Sequence, residues 1–156
     1  MTAPKPVRPL MRIPPPVMFV VTFFAGVGLQ HLARLAFRPA PFLALLGYGL
    51  AGAAALLALS SVGIFLAART TIVPFSAASK LVTWGPYRLT RNPMYVSLAL
   101  AYLGAAMILT QVVALILLPL PIILVHIIVI PFEEGRMREL FGAAYDHYCA
   151  EVRRWL

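Results

Sequence analysis

Glu133 and Glu134 are the first acidic residues in the chain, and they follow directly on a long apolar stretch. Burial there is costly for a carboxylate. If the preceding helix stops at this point, its dipole disfavours negative charge as well. A cationic partner relieves both penalties. Arg136 or Arg138 can supply one from within the chain, and a bound cationic ligand can supply one from outside.

A second group of polar residues occupies the connector Leu81-Val82-Thr83-Trp84-Gly85-Pro86-Tyr87-Arg88-Leu89-Thr90-Arg91-Asn92-Pro93-Met94-Tyr95. Gly85-Pro86 marks a turn. Asn92-Pro93 has the form of a helix cap followed by proline at the first helical position. Arg88, Arg91 and Tyr95 cluster around that helix start. Free backbone N–H groups at a helix N-terminus favour anions, and the forked guanidinium of Arg91 suits a carboxylate. Both arginines also suit plain anchoring beside a membrane, and the residues alone leave the two readings open.

Two histidines lie within apolar runs. His126 is seven residues before Glu133, nearly on the same face of a regular helix and about 10 Å away along its axis. A polar residue at membrane depth is a candidate for function, although a hydrogen bond to a neighbouring helix also accounts for it. His31, nearer a span end, is the weaker candidate. Cys149 is the sole cysteine, so no intrachain disulfide forms. No histidine or acid stands at a recognisable thiolate-activating spacing except His147, which is two residues away and points elsewhere on a helix, and this favours a small buried residue over a reactive thiol. No metal-ligand set is expected.

The elements that position these residues follow from composition. Of 156 residues, 62% are hydrophobic and 12% charged, and the mean hydropathy is +0.89. A soluble domain is nearer half apolar and a quarter charged, so disorder and an ordinary water-soluble globule are both excluded. The length fits one compact unit, with no second domain. The net charge of +8 comes from basic residues that flank apolar runs. That placement points to bilayer orientation and anionic lipid, not nucleic acid.

The reading is an all-α polytopic membrane protein with four spans and a C-terminal amphipathic helix on the cytoplasmic side. Residues 1–16 form a basic, proline-rich leader with Lys5, Arg8 and Arg12. Residues 17–68 hold two structural spans, Val17 to Ala33 and Phe42 to Ala68. A basic leader before an apolar stretch also describes a signal peptide, but the many prolines and the lack of a small-residue cleavage site favour a retained span. The second span is rich in glycine and alanine, which permits close helix packing. Asn92 to Phe132 carries no formal charge and is long enough for two spans. Thr110-Gln111 is the expected turn, and Pro119 and Pro121 are expected to kink the fourth span. After Glu133, Met137, Leu140, Phe141, Ala144, Tyr145, Tyr148, Val152 and Trp155 recur at spacings of three and four, the stripe of an interfacial helix. A bend at Gly142 is allowed.

With four spans both termini share one side. That side collects Lys5, Arg8, Arg12, Arg69, Lys80, Arg88, Arg91, Arg136, Arg138, Arg153 and Arg154, against Arg34 and Arg38 on the other. The bias makes the richer side cytoplasmic. A small four-helix transporter and a non-enzymatic scaffold are the other classes weighed. Proton-coupled transporters normally need an acid within the membrane, and none precedes Glu133. A scaffold leaves the order of the motifs unexplained.

The order Leu-Val-Thr-x-Gly-Pro-Tyr-Arg-x-x-Arg-Asn-Pro-Met-Tyr (81–95), two apolar spans, then Glu-Glu-x₆-Phe-Gly-x-x-Tyr-x-x-Tyr (133–148) resembles the membrane methyltransferases related to isoprenylcysteine carboxyl methyltransferase and phospholipid N-methyltransferase. The likeness covers residues 69–156. It implies a methyltransferase that uses S-adenosylmethionine on a lipid or lipid-like acceptor, similar to isoprenylcysteine carboxyl O-methylation, with phospholipid N-methylation as the alternative. Carried over by position, it implies cofactor contacts from Lys80, Leu81, Val82, Tyr87, Asn92, Pro93, Met94, Tyr95 and Glu133, with Glu134 beside it. Arg91 suits the cofactor's carboxylate. Glu133 and Glu134 suit its ammonium, ribose hydroxyls or sulfonium. His126 and Tyr145 are expected near the acceptor; Tyr145 and Tyr148 either cover the cofactor or sit in the interfacial aromatic belt, with the belt favoured for Tyr148. Asn92 stands where eukaryotic members have histidine, and Val129 where they carry an arginine for the substrate.

Overall fold

The computed structural model describes residues 13–38, 40–67 and 80–156. Most of the leader, including Lys5, Arg8 and Arg12, and the first part of the central connector, including Arg69, lie outside the described residues. Among the described residues all regular structure is helical. Helix α1 (Pro15–Leu32) is followed by α2 (Pro41–Ala67), a 3₁₀ turn (Gly85–Arg88) and α3 (Pro93–Ile108). Then α4 (Val112–Leu117), α5 (Pro119–Leu124), a π turn (Val125–Val129) and α6 (Ile130–Phe141) run on as one irregular helix. Helix α7 (Ala143–Glu151) follows. Pro15, Pro41 and Pro93 each open a helix, where the missing N–H goes unmissed.

Three helices, α1, α2 and Val112–Phe141, are long and apolar enough to cross a bilayer. The chain is an integral membrane protein. Helix α3 is apolar but only 16 residues long, about 24 Å against a hydrocarbon core of about 30 Å. It still reaches from one end of the bundle to the other. Beyond its last turn, the Thr110 carbonyl accepts a hydrogen bond from Gln30 Nε2 at 3.1 Å, near the end of α1. The Val113 N–H donates to Gln30 Oε1 at 3.2 Å. Both ends of one side chain thus fix the expected turn at Thr110-Gln111.

Helix α2 packs along α3, while α1 packs on α4 and α3. At the α2–α3 crossing Gly47 faces Gly104, and a Cβ on either would lie within 2.8 Å of the other's carbonyl oxygen. Gly49, Gly52 and Gly63 face open space, so of the glycines in the second span only Gly47 serves close approach. The core joins Met18 and Phe19 to Tyr95, Tyr102 and Ala106, and these to Ala114, Val125, Val129 and Ile130. The Tyr102 ring meets Phe19 and Phe23 edge-on. Its hydroxyl donates to the Ala114 carbonyl at 2.9 Å, which removes the cost of a bare hydroxyl in an apolar interior.

The prolines shape the last long helix. Its regular hydrogen bonding is interrupted at Leu118, just before Pro119, although Leu118 keeps helical dihedrals. The ring of Pro131 would clash with the carbonyl four residues earlier in a regular helix. That carbonyl belongs to Ile127, inside the π turn, where the wider coil gives room.

Two expectations for the tail need correction. The fourth span does not stop at Phe132; α6 continues through Glu133 and Glu134 to Phe141, because nothing before Gly142 breaks it. Gly142 then takes φ +50° and ψ −128°, a region open in practice to glycine alone. Nor does Tyr148 lie in an interfacial belt. It and Tyr145 are buried against the protein. The spacing found a real apolar stripe, but the stripe looks the same whether lipid or protein covers it.

Candidate active site

The start of α1, the later part of α2, the connector and α6 enclose a cavity of about 690 Å³ at one end of the bundle. Small-molecule sites are typically about 300–1,000 Å³. Lys80, Leu81, Val82, Tyr87, Arg91, Asn92, Pro93, Met94, Tyr95, Glu133 and Glu134 all line it, as does Tyr145. The hairpin of α3 and the last long helix brings the two polar segments together, as their order along the chain requires. His126 does not line the cavity. The π turn adds a residue between it and Glu133, which rotates it by about 100° from the face a regular helix gives. Its Nδ1 accepts a hydrogen bond from Trp155 Nε1 at 3.1 Å.

The connector is held from both sides. The buried Tyr87 ring lies 5.3 Å from that of Phe65 on α2. Its carbonyl accepts the Tyr148 hydroxyl at 2.6 Å. Thr90 is almost fully buried; its Oγ1 donates to the Arg154 carbonyl at 2.9 Å and accepts the Asn92 N–H at 3.2 Å. The Arg91 N–H donates to the Arg153 carbonyl at 2.8 Å. Asn92 does not cap α3 through its side chain. Its Nδ2 donates instead to the Arg154 carbonyl at 2.9 Å, while its own carbonyl accepts the Tyr95 and Val96 N–H groups.

The adjacent acids have different surroundings. Glu134 is buried and accepts two bonds from Arg154, from Nε at 2.8 Å and Nη2 at 2.7 Å. Arg91 Nη2 approaches it at 3.3 Å and Arg138 Nη1 at 3.9 Å. Three arginines therefore neutralise it. Glu133 accepts the Tyr95 hydroxyl at 2.7 Å. Among the described residues no ion pair reaches it. Arg91 Nε is buried and has no hydrogen-bond partner among the described residues, a donor left over at the cavity wall.

Burial raises the pKa of the tail and connector tyrosines by disfavouring the charged phenolate. It lifts the Tyr148 hydroxyl to about 12 and holds those of Tyr87 and Tyr145 higher still. All three stay neutral donors at physiological pH, so none is a base. Arg154 and Trp155 were missed by sequence reasoning. Their only visible signal was a pair of arginines beside a tryptophan, which reads equally well as membrane anchoring.

The fold and cavity define a helical integral membrane protein with a small-molecule site at one end of its spans, walled by apolar side chains, two acids and basic residues. The sequence model of the phospholipid methyltransferase family matches residues 42–144, and the chain belongs to that family. It is a membrane methyltransferase acting on lipid substrates, and its reaction requires a methyl donor. No curated protein and no solved structure gives a significant match to the chain.

Proposed function

We propose that the chain transfers a methyl group from S-adenosylmethionine to a lipid or lipid-like acceptor, with the donor bound in the cavity between the connector and α6. The observation that carries this reading is Glu133 on the cavity wall, hydrogen-bonded by the Tyr95 hydroxyl and reached by no ion pair among the described residues. The donor brings an electrophilic methyl on a sulfonium, and in-line displacement at such a carbon needs little acid–base help. The chain's task is then to hold donor and acceptor in line, which can supply much of the acceleration.

The residues fit that donor chemically. Glu133 offers a carboxylate to its cationic or hydroxyl groups. The orphaned Arg91 Nε offers a donor to its carboxylate. Leu81, Val82, Pro93 and Met94 supply apolar surface. Glu134 holds the arginines in place. Tyr145 covers the cavity from α7, where the acceptor would approach. His126 acts through Trp155 and not on the acceptor.

The cavity end faces the cytoplasm in this reading. Lys80, Arg88, Arg91, Arg136, Arg138, Arg153 and Arg154 belong to segments at that end, and Arg34 and Arg38 to the other, as the positive-inside bias requires. Helix α3 counts as a fourth, short span, and residues 69–156 carry the donor-binding core.

The acceptor is a carboxylate, an amine or a thiol on a lipid or lipid-like molecule. Membranes carrying the protein, incubated with methyl-labelled S-adenosylmethionine, should yield a labelled lipid fraction. Mild base releases the label as methanol from a methyl ester and leaves it on an N-methyl amine. An unlabelled lipid fraction, beside active control membranes, would refute the reading.

A further inference from the structure

Five residues after α7 join two walls of the cavity, the connector and α6, to the π turn without lining the cavity themselves. Val152 is extended, with φ −120° and ψ 133°. The Arg153 carbonyl takes the Arg91 N–H, and the Arg154 carbonyl takes the side chains of Thr90 and Asn92. The Arg154 guanidinium grips Glu134 with two bonds, and Trp155 donates to His126 in the π turn. The connector, α6 and the middle of the last long helix are thus tied through one short segment. None of residues 152–156 touches the cavity.

We propose that residues 152–156 form a clasp that sets the donor site, with Arg154 as its positioning residue. By occupying Glu134, Arg154 leaves Glu133 as the acid that meets the donor. That grip also holds the Arg154 backbone carbonyl against Thr90 and Asn92, which fixes the start of α3 and hence Tyr95, which orients Glu133. The clasp rests on the reading of the cavity as a donor site. Because site and clasp share these contacts, coupling between them is reciprocal: donor binding tightens the clasp as the clasp tightens donor binding.

The test is calorimetry of S-adenosylhomocysteine binding to the full-length protein in detergent, with melting measured on the same samples. R154A should weaken binding by about tenfold to 100-fold, the scale of a slightly misplaced site, and R154K should recover part of that loss. Lysine keeps the charge but not the two-pronged bond. Y102F is the control: it removes one hydrogen bond in the core, away from the cavity, and should keep wild-type affinity despite a lower melting temperature. Wild-type affinity in R154A overturns the clasp. So does an affinity loss in Y102F that tracks its loss of stability as R154A does. Absent binding by the wild-type chain overturns the donor site itself, and the clasp with it. A second measurement does not depend on R154A folding. The chain has two tryptophans, so W84F leaves Trp155 alone. Saturating S-adenosylhomocysteine should then protect Trp155 from acrylamide quenching, and unchanged quenching with ligand bound overturns the clasp.

Discussion

Replacing the two adjacent acids one at a time should separate stability from binding. Glu134→Gln removes the charge that faces Arg154 at 2.7 and 2.8 Å and Arg91 at 3.3 Å. Removing one partner of a buried pair costs about 3–5 kcal/mol. The Arg154 side chain is 35% exposed and that of Arg138 is 47% exposed, so water recovers part of the loss and about 2–3 kcal/mol remains. A chain of this size loses roughly 2–4 °C of melting temperature per kcal/mol, which gives a fall of roughly 4–12 °C. Glu133→Gln keeps a carbonyl oxygen to accept the Tyr95 hydroxyl, so melting should stay within about 1 kcal/mol of wild type. Its binding should suffer instead. A unit charge pair about 4 Å apart is worth about 4 kcal/mol at an effective dielectric of 20. Water in an open cavity screens part of this, leaving a loss of about 10- to 100-fold in affinity for S-adenosylmethionine. S-adenosylhomocysteine lacks the sulfonium charge, so a smaller loss with it would assign Glu133 to the sulfonium, and an equal loss to the ammonium or ribose. Calorimetry and thermal melting in one detergent read both effects. A stable E134Q beside a strongly destabilised E133Q would refute this division of roles.

Three further outcomes follow from the packing. Gly104→Ala places a Cβ 2.7 Å from the Gly47 carbonyl and 3.0 Å from the Ala51 nitrogen, both rigid backbone, and should cost about 1–3 kcal/mol; Gly49→Ala, in open space, should cost nothing, and equal melting of the two variants would contradict the crossing. Gln30→Leu strips the turn at residues 110–113 of both its bonds and should lower stability by about 1–3 kcal/mol, read by thermal melting. Tyr148 is favoured neutral in the fold, so its contribution is complete below the ordinary tyrosine value of about 10 and is lost as pH rises through about 12; Y148F should remove this part of the alkaline loss of melting temperature, while weakening the protein at neutral pH through the missing bond to Tyr87.

The helices were legible because apolar runs of bilayer length leave few alternatives. The turn at Thr110-Gln111 and the start of α3 at Pro93 were fixed by local chemistry, and the meeting of connector and acids by topology. Three features were not legible. His126 leaves the face of Glu133 because Pro131 forces a π turn, and a count of seven residues assumes a regular helix. Asn92 has the cap signature, yet its amide serves a carbonyl of Arg154, more than sixty positions away, which no local pattern encodes. Arg154 itself counted only as membrane charge, since a salt bridge across the fold leaves no spacing to read.

The claim under the most weight is that the space between residues 80–95 and Glu133 holds a nucleoside methyl donor. An experimental structure of the protein with S-adenosylhomocysteine tests it directly. The ligand is expected in that space, against Tyr95 and Glu133, with Glu134 still gripped by Arg154. Ligand density anywhere else on the molecule would contradict it.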